Sequence, residues 1–382
     1  MTTPLLERIS IWQLFVLVFL FQVGSAIVVG AGAADAKQDL WIAELMGCSI
    51  GLVLVLIYVY ILRLKPGSSL YDILSVTFGR WLATLFAVLY ILYFFYIAGR
   101  VLRDFTELLI IDVLPETPLE IVTLLFILTV IYMVYMGMEV LGRMSETFVP
   151  YFITFVLLIT LFLIAGQDIK LENLLPVLGD GWDPVMKVVF PELITFPYGE
   201  TVVLMVIMAH TTHPGYMPLT ALLATILSGA VLSYHSGLMV AVLGGDMVAR
   251  STFPLLSVVR EISIANFIER LDALVVFIMM VGIFVKVSLF FYGGLKGLEF
   301  LTRIPYRHFV LPCGLMVGFL SIIIAGNFAE HIEEGVEIVP VFLHVPFQII
   351  IPVLMLAVLL IQRWRQRRVK RHGFRRTLQK WK

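Results

Sequence analysis

The chain has 382 residues, of which 60% are apolar and 14% charged, and its mean hydropathy is +0.99. Soluble globular proteins average about 45–50% apolar and ~25% charged residues, so there is too little polar surface here to cover soluble domains. Lys and Arg balance Asp and Glu at 27 each, yet ten of the basic residues fall between Arg363 and Lys382. The two cysteines, Cys48 and Cys313, lie inside apolar runs, which excludes a disulfide framework and a cysteine zinc site.

A bilayer core of about 30 Å needs roughly 20 helical residues. Ten apolar segments are read as spans: 10–34, 40–62, 81–111, 118–137, 140–166, 184–210, 218–243, 270–299, 308–326 and 338–362. Runs such as 52–60 are apolar on consecutive residues, which fits helices and not the alternation of a membrane β-barrel. The first span has the flank Glu7-Arg8 and no small-residue cleavage site, so it is expected to stay in place and not to act as a cleaved signal. The expected division is one transmembrane domain over 1–362 and a basic tail over 363–382.

Taken in order, span 1 holds Gln22-Val23-Gly24-Ser25-Ala26 and then Gly30-Ala31-Gly32, an interrupted helix. Span 3 carries Arg100, Arg103, Asp104 and Glu107, spaced so that Arg100 reaches Asp104 and Arg103 reaches Glu107 at i,i+4. At 31 residues it is about 46 Å long, so this cluster is expected toward the outer interface. Tyr93 and Tyr96 lie nearer its middle, where they either line a cavity or pack between helices. Span 6 holds Pro191-Glu192 and then Phe196-Pro197-Tyr198-Gly199-Glu200. Proline removes a backbone donor and glycine stabilises helix poorly, so the freed backbone groups need a partner that lipid does not offer. The stretch 244–269 is expected to hold an extra amphipathic helix. Span 8 buries Lys286 with no acid within one turn; Glu200 is the natural partner, with Glu44 and Glu107 as others. Either that pair is structural, or the ammonium stands where a coupling cation would bind. Asp272 and Glu269, near the start of span 8, are expected to be capping or interfacial.

Spans 1 and 6 open two five-helix halves, 10–166 and 184–362. An interrupted opening helix in each half points to an inverted-repeat transporter fold with its site at the breaks. Glycines that allow close helix packing are the alternative reading for span 1. Enzymatic constellations are lacking: His210 and His213 have no third ligand nearby, there is no His-Glu-x-x-His run, and no glycine loop cradles a phosphate. No cofactor or metal is called for. Basic loops at Arg63, Lys65, Arg80, Arg303 and Arg307 share a side with the tail, and acidic loops face the other, so both termini are expected in the cytoplasm. Arg250 and Arg260, in an outer loop, run against that pattern. The tail is read as a topology lock and lipid contact, not a nucleic-acid site.

Several runs carry a specific likeness. Ala36-Lys37-Gln38-Asp39-Leu40-Trp41, Leu102-Arg103-Asp104-Phe105, Leu114-Pro115-Glu116-Thr117-Pro118 and Gly137-Met138-Glu139-Val140-Leu141-Gly142-Arg143 are among them. So are Asn173-Leu174-Leu175-Pro176-Val177, Phe196-Pro197-Tyr198-Gly199-Glu200, Arg250-Ser251-Thr252-Phe253-Pro254 and Phe267-Ile268-Glu269-Arg270-Leu271-Asp272-Ala273. In this order the chain resembles the endospore germination permeases, the GerAB-type B subunits of germinant receptors. The resemblance departs in the long basic tail. It implies an all-α protein of ten transmembrane helices, a LeuT-like 5+5 inverted repeat with helices 1 and 6 broken, related to the amino acid–polyamine–organocation transporters. It implies a place in the spore inner membrane beside A and C subunits, and recognition of a small amino-acid-like germinant. Carried onto this chain, the site comprises Gly24, Ser25, Tyr96, Phe196, Pro197, Tyr198, Gly199 and Glu200, with Lys286 as charge partner or cation surrogate. A germinant-sensing subunit and an active amino acid transporter, proton-coupled or exchanging, share that expectation.

Overall fold

The computed structural model of the chain describes residues 8–262 and 271–379. Glu7, Glu269, most of the Phe267–Ala273 run and the end of the tail lie outside the described residues, as do the side chains of the tail beyond Gln366.

Among the described residues, nine helices are long and apolar enough to cross a membrane. They are Ile11–Val29, Ala33–Leu64, Leu70–Val113, Leu119–Met136, Met138–Gly166, Asp183–Val206, Met217–Leu243, Asp272–Thr302 and Pro340–Gln366, and we number them spans 1–8 and 10. Span 9 is Val310–Ile323, which joins Phe328–Ile338 across a bend of 108°. Its 14 residues rise only about 21 Å, less than a bilayer core. The truncation has a visible support. The buried Arg103 of span 3 donates to the carbonyls of Ser321 at 3.3 Å and Ile322 at 2.9 Å, replacing donors that a further helical turn would supply. Asn327 then starts the next helix, its side chain accepting from the Glu330 amide at 2.9 Å.

Spans 1, 6 and 8 are innermost, with 83%, 83% and 78% of their most apolar windows buried, whereas span 5 has 22% and faces outward. Burial therefore selects the two interrupted helices and the lysine-bearing helix as the centre of the bundle. Span 3 starts earlier than the sequence indicates. A capped stretch begins at Leu70, with Ser69 accepting from the Asp72 amide, and Gly79 (φ 74°, ψ 173°) separates it from the span proper.

The 244–269 stretch holds two short helices, Gly245–Arg250 and Pro254–Glu261. The second buries Leu255, Leu256, Val258 and Val259 and keeps Arg260 exposed. Arg260 pairs with Asp112 at 2.8 Å and approaches Asp272 at 3.9 Å. Arg260, one of the two basic residues that run against the loop pattern, is thus neutralised by an acidic loop on its own side. Lys37, in the Ala36–Trp41 run, pairs with Asp246 at 2.8 Å, and the buried Asp39 accepts from the Leu178 amide at 2.9 Å.

A cavity at the two helix breaks

Span 1 breaks at Gly24 (φ 4°, ψ −113°) and resumes for only one turn, Ala26–Val29, before Gly30 (φ 60°) and Gly32 (φ 76°) turn the chain. Both of those positive φ values suit glycine. Gly24 packs backbone to backbone on span 8: a Cβ at Gly282 would lie 2.3 Å from the Gly24 Cα. Span 6 departs from helix at Phe190 and Phe196, and Val189–Tyr198 runs in wide turns before tightening over Gly199–Val206. These two irregular stretches meet face to face, and the Gly32 amide donates to Glu192 Oε1 at 2.9 Å.

A cavity of about 540 Å³ opens between them. Its wall includes the loop 29–35, Glu192, Phe196 and Glu200, the Arg100–Asp104 face of span 3, Arg250, His331 and His344. Asp35, Arg250 and Glu333 are its exposed charged members and mark the mouth; Glu200 and Phe196 lie at the buried end. Asp35 and Lys65 flank opposite ends of span 2, so the mouth faces away from the basic loop at Lys65.

At the buried end, Lys286 Nζ lies 2.5 Å from Glu200 Oε2, with side-chain exposures of 0% and 2%. The contact is an ion pair without hydrogen-bond alignment, and neither atom has a hydrogen-bond partner among the described residues. The ammonium also stands over the Phe196 ring, 4.1 Å from its centroid, and 5.6 Å from that of Phe21. Two charges removed from water hold each other, and the ammonium is also held by aromatic faces.

Of the residues singled out by sequence, Phe196 and Glu200 line the cavity, and Lys286 touches both from within the core. Gly24 and Ser25 are buried in the packing against span 8 and are not part of the wall. Tyr198 turns toward Gly51 of span 2 and Gly229 of span 7. Gly199 offers its carbonyl to the Tyr58 hydroxyl at 3.1 Å, and Tyr58 also donates to the Gln348 carbonyl at 2.6 Å. Tyr96 is half-buried beside Arg100, whose Nη1 reaches its hydroxyl at 3.3 Å.

The charged face of span 3 corrects one expectation. Arg103 and Glu107 do pair, at 2.5 Å, but Arg100 does not bond Asp104. Arg100 instead pairs with Glu334 at 3.2 Å and donates to the His331 carbonyl, while Asp104 meets His331 Nε2 at 2.8 Å. The segment Phe328–Ile338 folds over that face, and partners from another element outcompete the i,i+4 neighbour.

Sequence reasoning missed Glu192, His331 and His344 as wall residues, and Gln348 behind them. Tyr93 contacts His344 Nδ1 at 2.8 Å, and Gln348 Nε2 contacts both, at 2.7 and 2.9 Å. The signal for this triangle was present in Pro340, His344, Pro346 and Gln348, polar and proline residues recurring along span 10. Wide turns over Pro340–Ile350 are the result. For Glu192 it was an acid placed directly after a proline in an apolar span.

Two broken helices crossing beside a buried polar pair, at the centre of a bundle of ten helical segments among the described residues, define a membrane protein of the LeuT-like transporter fold. Solved structures agree. The chain is similar to Mhp1, a nucleobase-cation-symport-1 family transporter in a closed conformation with bromovinylhydantoin bound, at a TM-score of 0.65 and 14% identity over 84% of this chain and 73% of that one. It is also similar to MhsT in complex with L-phenylalanine, at 0.62 and 11% over 93% and 99%. The chain belongs to the family described as spore germination protein, whose model matches residues 8–330. Among its relatives in Bacillus subtilis (strain 168), spore germination protein KB is 37% identical over 94% of this chain and 96% of its own length. Spore germination protein YndE is 25% identical over 87% and 89%.

Proposed function

We propose that this chain is the ligand-sensing membrane subunit of a spore germination receptor and binds a small amino-acid-like germinant in the cavity between spans 1 and 6. The observation that carries this reading is the cavity of about 540 Å³ whose buried end is made by Phe196 and Glu200 at the break of span 6. That volume suits a small solute. Irregular backbone at membrane depth is tolerated where it lines such a space. The likeness to MhsT, whose solved complex holds L-phenylalanine, supports an amino-acid-sized ligand. In this reading Lys286 supplies a fixed positive charge at the position where a soluble cation would otherwise be needed. The chain works in the spore inner membrane with A and C subunits, both termini in the cytoplasm and the cavity mouth outward, its basic tail against anionic lipid.

Deleting the chain from the spore-former that carries it is expected to abolish germination by at least one amino acid while leaving other nutrient responses intact. Normal germination of the deletion strain by every amino acid tested would refute the reading. Secondary transport is the second reading, favoured by the likeness to Mhp1, a nucleobase-cation-symport-1 family transporter. Concentrative uptake of labelled amino acid into liposomes by the purified chain alone would establish it.

A further inference from the structure

The carboxylates around the cavity are not equivalent. Glu200 is held by Lys286, and Asp104 by His331. Asp35 and Glu333 are exposed at the mouth. Glu192 differs from all four. It lines the cavity with 9% of its surface exposed, and no cationic side chain pairs with it among the described residues. One oxygen, Oε1, is fixed by the Gly32 amide at 2.9 Å. The other, Oε2, has no hydrogen bond or ion pair among the described residues.

A carboxylate nine-tenths buried is costly unless it is paired. The amide also fixes the carboxylate's direction, because Gly32 lies on the loop that closes the cavity wall from the span 1 side. The cavity's own cations are committed elsewhere or distant in character: Arg100 pairs with Glu334, and Arg250 is exposed at the mouth. What Glu192 lacks, the occupant must bring. We infer that Glu192 Oε2 receives the ammonium group of the ligand, so that the cavity selects solutes carrying a primary or secondary amine in its protonated form. This rests on the cavity being the ligand site proposed above, and assigns to it a recognition residue and a required charge.

The substitution that isolates this role is Glu192→Gln. The glutamine carbonyl oxygen still accepts from the Gly32 amide, so the loop keeps its anchor and only the charge is lost. Purified full-length chain in lipid nanodiscs is heated with three additives: a mixture of the free L-amino acids, the same mixture N-acetylated, and potassium or sodium chloride at matched ionic strength. The free mixture is expected to raise the melting temperature of the wild type, and the other two are not. In Glu192→Gln the melting temperature without additive is expected to stay near the wild-type value, and the concentration of free mixture needed for half the shift to rise about 10- to 100-fold, the worth of one charge-assisted hydrogen bond. Equal stabilisation by the acetylated mixture, or a Glu192→Gln response matching wild type, would overturn the inference and leave the cavity reading standing. Stabilisation by salt alone that disappears in Glu192→Gln would assign the site to a metal cation and overturn the ammonium. If no mixture stabilises the wild-type chain, both readings fall together.

Discussion

Removing either partner of the Lys286–Glu200 pair is expected to be more damaging than removing both. Both side chains are almost completely buried and 2.5 Å apart, so neither lone charge has water to fall back on. A stranded buried charge costs roughly 3–5 kcal/mol. A second route sets a similar ceiling: a lone carboxyl escapes by taking up a proton at about 4 kcal/mol at neutral pH, and a lone ammonium by losing one at about 5. The Phe196 and Phe21 faces return ~2 kcal/mol at most to an unpaired ammonium. Glu200→Gln is therefore expected to cost about 3 kcal/mol and Lys286→Met about 4, while the double variant, with no charge to bury, loses less than either. The double-mutant cycle then gives a coupling energy above ~4 kcal/mol. It is read by thermal unfolding of purified protein, with germinant response measured on the same four proteins in spores. If the ammonium also serves as a cation surrogate, the double variant regains stability without regaining response. Strict additivity of the two single losses would refute the coupling argued from the geometry.

Three further outcomes are expected. Gly282→Ala pushes a methyl to 2.3 Å from the Gly24 Cα, where neither side can yield, whereas Gly24→Ala meets its nearest atoms only at 3.2 Å. The first should cost the upper part of the 1–3 kcal/mol range for overpacking and the second clearly less, compared by yield of monodisperse protein and melting temperature. Arg103→Leu strands the buried Glu107 and uncovers the carbonyls that end span 9, a loss of roughly 3–5 kcal/mol. Adding Glu107→Gln should recover only part of it, since the Ser321 and Ile322 carbonyls stay without their donor; full recovery would show that the carbonyl contacts contribute nothing. Single cysteines at Pro66 and Glu333, in a background lacking Cys48 and Cys313, should react with an impermeant reagent in intact cells only at Glu333, and equal labelling would overturn the orientation.

Composition and run length were enough to establish a polytopic helical membrane protein, because the bilayer imposes length and apolarity on each span separately. The breaks were legible for the same local reason: Gly24, Gly30, Gly32, Pro197 and Gly199 disfavour helix wherever they stand. A lysine in the middle of span 8 demanded a carboxylate, and the sequence offered Glu200 as the natural partner with Glu44 and Glu107 as others. Only the packing of span 6 against span 8 brings Glu200 to it, while Glu107 goes to Arg103. Span 9 read as an ordinary crossing, yet it stops after Ile323, since the donors that end it come from Arg103 on another helix. Arg100 and Asp104 looked like partners in sequence and are divided between Glu334 and His331 by a segment more than 200 residues away along the chain. Glu192 stood in the sequence as one acid among many. Its fixed oxygen, its free oxygen and the cavity it faces exist only once spans 1 and 6 are folded against each other, because a charge acquires its partner, or goes without one, through contacts that local sequence does not encode.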